Sequence, residues 1–412
     1  MANLKVMIPL STRAGVIKFA PVIKAMQADQ VNFEPVVVVA SQRYQQLHSV
    51  LAYFGLKPDF ELNVDPVNER GQLDELSRLL HNLQTVINAA QPDIMLTLGD
   101  TIATLAASLS AFYCHLPVAH IEAGLRTFDK HEPFPDEMHR QLTDALADLY
   151  FAPTEAAKEN LLFEHQEEAQ VVVTGNPIVD VVQNEYDPQY ASALLAGLPD
   201  HCRIILLTMG RVENTGLPME RVLRTVRDIV ETNPDVELIC PLPVDFQSFS
   251  LAEQLLANHQ RIHLMPLMTL GDFINTAARS YLILTDSAGT VEEATVFHRP
   301  VLLLRQNTER PEALFAQTTK IVGTDPTSIQ QAVFDLLNDK HLYRTMVSES
   351  ADIFGDGHAA ERIVAELKKR FVDWGREKYL AMQNWGRGLA RTSQLAWRLW
   401  AHTRPSRIMP RL

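Results

Sequence analysis

The sequence predicts an α/β fold with two Rossmann-like domains that face a cleft. Short, continuous apolar segments alternate with longer segments of helical periodicity, which is typical of parallel sheets covered by helices on both faces. This alternation starts again after 175-GNP-177, which places a domain boundary near that point. The chain has 412 residues, enough for two ordinary domains and a tail.

The predicted strands are apolar runs of three to seven residues. In chain order they cover 5–9, 33–39, 94–98, 118–121, 149–151, 171–174, 204–208, 237–240, 281–285 and 301–304. Helical periodicity fills the intervals, most clearly over 14–28, 73–90, 102–113, 138–147 and 328–338. We therefore expect a first domain over 1–175, a second over 176–373 and a tail over 374–412.

Composition excludes several classes of protein. With 46% hydrophobic and 21% charged residues the chain is typical of globular proteins, and no apolar run is long enough to cross a bilayer. The opening MANLKVMIPL fits a first buried strand rather than a secretory signal. The three cysteines lie far apart and form no CxxC pair, which favours a reducing cytoplasm over a disulfide-stabilised secreted protein.

The charge is distributed unevenly along the chain. The net charge is -13, although the tail over 374–412 carries eight Lys or Arg residues against one Glu and all four tryptophans. An acidic body argues against nucleic-acid binding. The segment 385–404 predicts a basic amphipathic helix that binds a membrane surface or a partner protein, which would place the chain at the inner face of the membrane. Docking of this helix on the acidic body is the alternative.

Three carboxylates lie at or just after predicted strand ends in the first domain, namely Asp100, Glu122 and Asp136. Carboxylates on two sides of a substrate carbon can remove a proton from one face and return it to the other. A structural alternative is that Asp100 caps the helix that follows it. Glu122 would then pair with Arg126. Asp136 would pair with Arg140 in the same way.

A small-residue turn in the second domain predicts a phosphate site. The stretch 285-TDSAGTVEE-293 follows a predicted strand and opens a helix, whose N-terminus attracts anions. One of the two acids, Glu292 or Glu293, could accept from ribose hydroxyls. The alternative is that both are solvated helix charges. Arg13 and Arg310 are further candidates for binding an anion.

Seven ordered segments together resemble the non-hydrolysing UDP-N-acetylglucosamine 2-epimerases, over about residues 3–370. They are 99-GDT-101, 120-HIEAGLRT-127, 174-TGNPIVD-180, 285-TDSAGTVEEA-294, 308-TERPEA-313, 322-VGTD-325 and 355-GDG-357. The resemblance implies a glycosyltransferase-B-like fold and inversion of C2 of the sugar in UDP-GlcNAc, giving UDP-ManNAc for surface polysaccharide synthesis. UDP is eliminated and added back, without a metal or other cofactor. A homodimer is also implied.

The resemblance also implies roles for individual residues. The acid–base carboxylates are Asp100, Glu122 and Asp136. The UDP-sugar-binding residues are Arg13, Lys18, Arg140, Phe273, Ser287, Gly289, Glu293 and Arg310, with Phe273 near the uracil and Glu293 on the ribose.

The chain departs from the family pattern at several sugar-handling positions. Gly210 stands where the family has its active-site histidine, Pro243 replaces another histidine, and Gly15 replaces an acid. Gln42-Arg43 replaces the Gln-His of a second, activating UDP-sugar site, and His139 replaces an asparagine. These departures keep two alternatives open: a UDP-sugar-binding protein without catalysis, held to a membrane glycan-assembly complex, and a glycosyltransferase on the same fold.

Overall fold

The computed structural model describes residues 3–40, 44–62, 71–242, 248–348 and 352–373. The predicted tail helix, the Gln42-Arg43 position and Pro243 lie outside these ranges. No helix among the described residues is both long and apolar enough to span a membrane.

The chain forms two compact units that are not continuous in sequence. The first comprises residues 1–124, 133–174 and the C-terminal segment from 360, and the second comprises 125–132 and 175–359. The predicted domain boundaries differ, because they put 125–132 in the first domain and 360–373 in the second. The difference arises because these segments pack with residues that are remote along the chain, and local patterns do not record such contacts.

The strands of the first unit are β1 Leu4–Leu10, β2 Phe33–Val39, β3 Phe60–Glu61, β4 Ile94–Leu98, β5 Val118–Ile121, β6 Leu149–Ala152 and β7 Val171–Val173. Its helices are α1 Arg13–Ala28, α2 Tyr44–Tyr53, α3 Gly71–Ala90, α4 Ile102–Tyr113, α5 Asp136–Leu146 and α6 Glu155–Phe163. The described strands form one parallel sheet in the order β3-β2-β1-β4-β5-β6-β7.

The strands of the second unit are β8 Arg203–Thr208, β9 Val236–Leu242, β10 Ile262–Pro266, β11 Leu282–Thr285, β12 Val301–Leu303 and β13 Thr319–Ile321. Its helices are α7 Pro177–Glu185, α8 Ala193–Ala196, α9 Leu217–Thr232, α10 Ser248–Leu256, α11 Leu270–Arg279, α12 Ala288–Val296, α13 Pro311–Phe315, α14 Pro326–Asn338 and α15 Lys340–Ser348. The described strands again form a parallel sheet, in the order β10-β9-β8-β11-β12-β13. Two Rossmann-like units are therefore confirmed.

Both sheets reverse their order of strand addition once. In the first unit the reversal lies between β1 and β4, and in the second it lies between β8 and β11. In open α/β sheets, ligands bind beyond the carboxyl ends of the strands at such a reversal. The segments that follow β1, β4, β8 and β11 are therefore where each unit is expected to bind a ligand.

Side-chain caps start the helices at these strand ends. Thr12 accepts a hydrogen bond from the Gly15 N–H and begins α1, and Thr101 accepts from the Thr104 N–H and begins α4. Ser11 and Thr101 bring the two neighbouring segments together, with 3.1 Å between their hydroxyl oxygens. Each capping oxygen satisfies an N–H that the helix leaves without a backbone partner.

The last described segment of the chain belongs to the first unit. Helix α16, Ala359–Leu367, continues into a π-helical turn over Lys368–Asp373. Arg362 donates to the carbonyl of Thr174 at 3.1 Å, and Lys368 pairs with Asp29 at 3.0 Å. The first unit therefore combines the early part of the chain with the segment after residue 359.

Gly124 illustrates how tightly the turn after β5 is packed. Its φ is +82°, and a Cβ built on it would lie 2.1 Å from the carbonyl oxygen of Ala157. The Asn160 side chain donates to the Gly124 carbonyl at 2.9 Å, which holds α6 against this turn. A side chain at position 124 thus meets both backbone strain and a rigid obstacle.

Replacement of Gly124 by alanine should destabilise the first unit by about 2–5 kcal/mol, because backbone strain and overpacking add together. Gly55 provides a matched control in the same unit, since its φ is +69° but nothing lies within 4 Å of an added Cβ. Gly55→Ala should cost about 1–2 kcal/mol. Urea unfolding of both variants tests the difference, and equal losses would contradict the packing argument.

Candidate active site

The carboxylate of Asp100 is held at the strand reversal of the first unit. The Nη1 of Arg140 donates to its Oδ2 at 2.6 Å. The Arg140 side chain is 1% exposed, whereas that of Asp100 is 31% exposed. A buried guanidinium therefore fixes the direction of a carboxylate that remains accessible to a ligand.

A second acid anchors the same arginine from within α5. Glu137 is fully buried, accepts a hydrogen bond from the Nε of Arg140 at 3.2 Å and forms an ion pair with its Nη2 at 3.1 Å. Gln141 donates to the other oxygen of Glu137 at 2.9 Å. Arg140, predicted as a substrate-binding residue, thus bridges a structural acid and the candidate catalytic acid.

Glu122 lies beside Asp100 and pairs with a buried lysine. The Nζ of Lys18 donates to Oε1 of Glu122, and both side chains are less than a tenth exposed. A Cβ built on Gly99 would lie 3.1 Å from Oε2 of Glu122, so this carboxylate is packed against the turn that carries Asp100. Glu122 also has a φ of +67°, a strained conformation that is common at functional sites. The structure thereby brings together four predicted site residues: Asp100, Arg140, Glu122 and Lys18.

His120 stabilises the turn after β4 through a hydrogen bond from its buried side chain to Gly99. The side chain is fully buried, with Nε2 at 2.9 Å from the Gly99 carbonyl and Nδ1 at 2.6 Å from Oδ1 of Asp144. The other oxygen of Asp144 accepts from the Gly124 N–H at 3.0 Å. This network ties the turns after β4 and β5 to α5.

His139 makes a parallel contact one residue further along the same turn. Its Nδ1 lies 2.9 Å from the carbonyl oxygen of Asp100. Burial lowers the pKa of His139, while the Asp100 carbonyl and carboxylate oppose this shift and Arg140 adds to it. The sequence shows that this residue differs from the family pattern but does not indicate a role for it.

The two remaining candidates of the first unit occupy helix starts. Asp136 is the first residue of α5, one turn before Arg140 on the same helix, and is half-buried. Arg13 is the first residue of α1, directly after the Thr12 cap, and is also half-buried. Both lie close in sequence to the residues that form the first site.

The structural alternative for Asp100 is wrong. The cap of α4 is Thr101, so Asp100 does not have that role. The carboxylate of Asp100 instead accepts from Arg140, and that of Glu122 accepts from Lys18. Thr101 is the better cap because its hydroxyl lies within reach of the Thr104 N–H, at 3.1 Å.

The strand reversal of the second unit is organised around Asp286. Its carboxylate accepts from the backbone N–H groups of Gly210 and Arg211 at 3.1 Å, and from the amide of Asn214 at 3.0 Å. Burial raises the pKa of Asp286, although these hydrogen bonds act in the opposite direction. Asp286 therefore links the segments after β8 and β11.

The predicted phosphate turn starts α12. Ser287 is its cap, and the hydroxyl lies 3.4 Å from the Thr290 N–H. Gly289 is in the first helical turn, where an added Cβ would meet only the Ser287 hydroxyl, at 3.8 Å. Glu293 is half-buried, and so is Phe273, in the first turn of α11. The first turn of α12 thus presents N–H groups at an uncrowded helix start.

The two acids of α12 have different environments. Glu292 is fully buried and accepts from the Nε of Arg310 at 2.7 Å and from the Asn176 amide at 2.9 Å. The Nη1 of Arg310 donates to Glu309 at 2.8 Å, and Glu309 also pairs with Arg305 at 2.9 Å. Glu292 is therefore a structural acid. Arg310, predicted to bind substrate, is 3% exposed and shared between two buried carboxylates.

The sequence did not indicate Glu137 and Asp144 as site residues. They recur with the predicted Arg140 at spacings of three and four on the buried face of α5. Charged residues at helical spacing on an otherwise inward face are the signal that could have revealed this cluster. Within the described residues, no group of three or more His, Cys, Asp or Glu side chains is arranged to hold a metal ion.

Comparison with known proteins decides the family. A family profile described as UDP-N-acetylglucosamine 2-epimerase matches residues 24–368. A UDP-N-acetylglucosamine 2-epimerase of Bacillus subtilis is 41% identical over 368 residues, which cover 89% of this chain and 96% of that protein. The chain belongs to the UDP-N-acetylglucosamine 2-epimerase family. The family predicted from the sequence is thus confirmed.

Solved structures of the UDP-N-acetylglucosamine 2-epimerase family agree. A putative UDP-N-acetylglucosamine 2-epimerase from Listeria monocytogenes is 40% identical, with a TM-score of 0.86 over 91% of this chain and 98% of that one. The UDP-GlcNAc 2-epimerase of Neisseria meningitidis, solved bound to UDP-GlcNAc, is 33% identical, with a TM-score of 0.83 over 89% of this chain and 100% of that one. The glycosyltransferase-B-like fold class expected from the resemblance is confirmed.

The buried position of Arg310 predicts a large structural effect. Arg310→Met should destabilise the second unit by about 3–5 kcal/mol, because two buried carboxylates lose the cation that they share. Arg224→Met is the matched control in the same unit, since Arg224 forms an ion pair with Glu220 but is 62% exposed; it should cost no more than about 0.5 kcal/mol. Thermal unfolding of both variants checks this, and similar small losses would show that Arg310 is not a structural residue.

Proposed function

We propose that this chain is a UDP-N-acetylglucosamine 2-epimerase that interconverts UDP-GlcNAc and UDP-ManNAc. The observation that carries the proposal is the accessible Asp100 carboxylate, fixed by the buried Arg140 and adjacent to Glu122 at one strand reversal. General acid–base work requires carboxylates in defined positions. The retained site and the family together favour catalysis over a binding role.

The reaction moves one proton and one UDP group. A carboxylate removes the proton from C2 of the sugar, the bond between C1 and the UDP oxygen breaks, and a glycal with a C1–C2 double bond remains. A second carboxylic acid then returns a proton to the opposite face of C2, while the UDP oxygen adds again to C1. We assign these proton transfers to Asp100, Glu122 and Asp136, with Lys18 and Arg140 holding the first two in position.

The second unit supplies the nucleotide site in this proposal. The N–H groups at the start of α12, around Ser287 and Gly289, suit the pyrophosphate because a helix N-terminus carries partial positive charge. Glu293, half-buried beyond that turn, accepts from ribose hydroxyls, and Phe273 lies near the uracil. Arg310 contributes by holding Glu292 inside α12. Arg13, at the start of α1, is the remaining anion-binding candidate.

Further parts of the proposal rest on the sequence. The homodimer follows from the family resemblance, and the basic segment 385–404 is proposed to bind a membrane surface or a partner protein in the cytoplasm. Deleting residues 374–412 and measuring binding to anionic vesicles tests the second point. Lack of binding by the full-length chain would exclude it.

Replacing Asp100 by asparagine should lower the rate of C2 inversion about 10²- to 10⁴-fold while UDP binding persists. The measurement is deuterium incorporation at C2 of UDP-GlcNAc in D₂O, followed by NMR, with UDP binding measured by calorimetry. Asp74→Asn is a matched control, because Asp74 also pairs with an arginine and is 29% exposed. It should leave the rate unchanged. Equal rates for Asp100→Asn and the wild type would remove Asp100 from the mechanism, and no exchange by the wild type would remove the proposed activity.

Gly210→His, which restores the residue of the family pattern, should fold normally. A Cβ at position 210 meets nothing within 4 Å, and the φ of this glycine is not in the left-handed region. Stability should stay equal or rise by up to about 1 kcal/mol, because the unfolded chain loses freedom. We expect deuterium exchange at C2 at least as fast as in the wild type. Slower exchange by a stably folded variant would show that this chain uses a different arrangement at position 210.

A further inference from the structure

The contact between His139 and Asp100 fixes the tautomer of the histidine. A backbone carbonyl can only accept a hydrogen bond, so the Nδ1 of His139, 2.9 Å from the Asp100 oxygen, must carry a proton. In a neutral imidazole the other nitrogen, Nε2, is then an unprotonated acceptor. The distance between Nδ1 and the Asp100 carbonyl oxygen therefore determines which nitrogen of His139 carries the proton.

The surroundings of His139 favour the neutral imidazole. Burial lowers the pKa of His139, and the two charged groups that face it, the carboxylate of Asp100 and the guanidinium of Arg140, act in opposite directions. Helix α4 packs against α5 and contributes no Asp, Glu, Lys, Arg or His, since its sequence is IATLAASLSAFY. The lowered pKa favours the neutral form of the side chain, in which Nε2 is unprotonated.

His139 and His120 differ in what their second nitrogen does. Both ring nitrogens of His120 are bonded within the protein, to Gly99 and to Asp144. Among the described residues, none bonds to the Nε2 of His139, and this atom is not one of the solvent-inaccessible side-chain atoms that lack a partner. Both nitrogens of His120 are used within the protein, whereas the Nε2 of His139 remains available to accept a hydrogen bond next to the candidate catalytic acid.

We propose that the Nε2 of His139 accepts a hydrogen bond from a donor on the sugar, a hydroxyl or the acetamido N–H. The inference rests on the proposed function and names one contact of that site. The His139 ring is hydrogen-bonded to the backbone carbonyl of Asp100. The carboxylate of Asp100 is the group that we propose to act at C2. A nitrogen acceptor placed there recognises a group that can donate, which the sugar carries and a phosphate oxygen does not.

Two substitutions separate the two nitrogens. In His139→Asn the side-chain amide can still donate to the Asp100 carbonyl in place of Nδ1, but nothing remains at the position of Nε2. In His139→Gln the longer side chain places an amide oxygen near the position of Nε2 and loses the donation from Nδ1. The first variant tests the sugar contact, and the second tests the support of Asp100.

Steady-state kinetics of UDP-GlcNAc epimerisation should divide the two effects. We expect His139→Asn to raise KM about 2- to 12-fold, as loss of one neutral hydrogen bond does, with kcat nearly unchanged. His139→Gln should lower kcat and leave KM closer to that of the wild type. Wild-type kinetics in His139→Asn together with impairment in His139→Gln would make His139 a positioning residue only and would overturn the proposal.

A measurement on the wild-type chain is independent of turnover and of the stability of the variants. Labelling with [¹⁵N]histidine allows the Nε2 resonance of His139 to be followed by NMR, with His139→Asn used for its assignment. Saturating UDP-GlcNAc should shift this resonance, and UDP alone should not.

The outcomes of that measurement separate the two proposals. An unchanged Nε2 resonance in the presence of bound UDP-GlcNAc overturns the contact, whatever the activity. A shifted resonance without deuterium exchange at C2 retains the contact and rejects the epimerase activity. Failure to bind UDP-GlcNAc rejects both.

Discussion

The reversal of strand order in each parallel sheet is the constraint on which the candidate sites depend. Parallel strands are joined by helices, and where the order reverses, successive helices cross to opposite faces and leave the strand ends uncovered. The chain fills these places with short polar segments, after β1 and β4 in one unit and after β8 and β11 in the other. The apolar side chains of the central strands lie in the core.

The two reversals are stabilised by different electrostatics. In the first unit, buried cations hold carboxylates: Lys18 pairs with Glu122, and Arg140 pairs with Asp100. In the second unit, the carboxylate of Asp286 is held by backbone N–H groups and an amide. The first arrangement suits proton transfer, and the second leaves the start of α12 available to an anion.

The sequence predicted the central strands well, because each is a continuous apolar run with no competing pattern. The predicted segments 33–39, 94–98 and 118–121 coincide with β2, β4 and β5. The strands at 60–61, 262–266 and 319–321 were not predicted, since they are short or mix polar with apolar residues and lie at sheet edges.

The residue types at the strand ends indicated the candidate carboxylates, but they did not indicate which side chains pair with them. The pairing of Glu122 with Lys18 joins residues that are distant in sequence, and only the folded chain brings them together.

The C-terminal contacts of the first unit have a consequence for biosynthesis. Its sheet is complete once β7 has been made, yet α16 and the turn over Lys368–Asp373 reach it only after the whole second unit has left the ribosome. During translation, the contact of Lys368 with Asp29 and that of Arg362 with the Thr174 carbonyl can therefore form only late. The first unit is therefore completed last, and a nascent chain that stalls before residue 360 carries an incomplete first unit together with nearly all residues of the second.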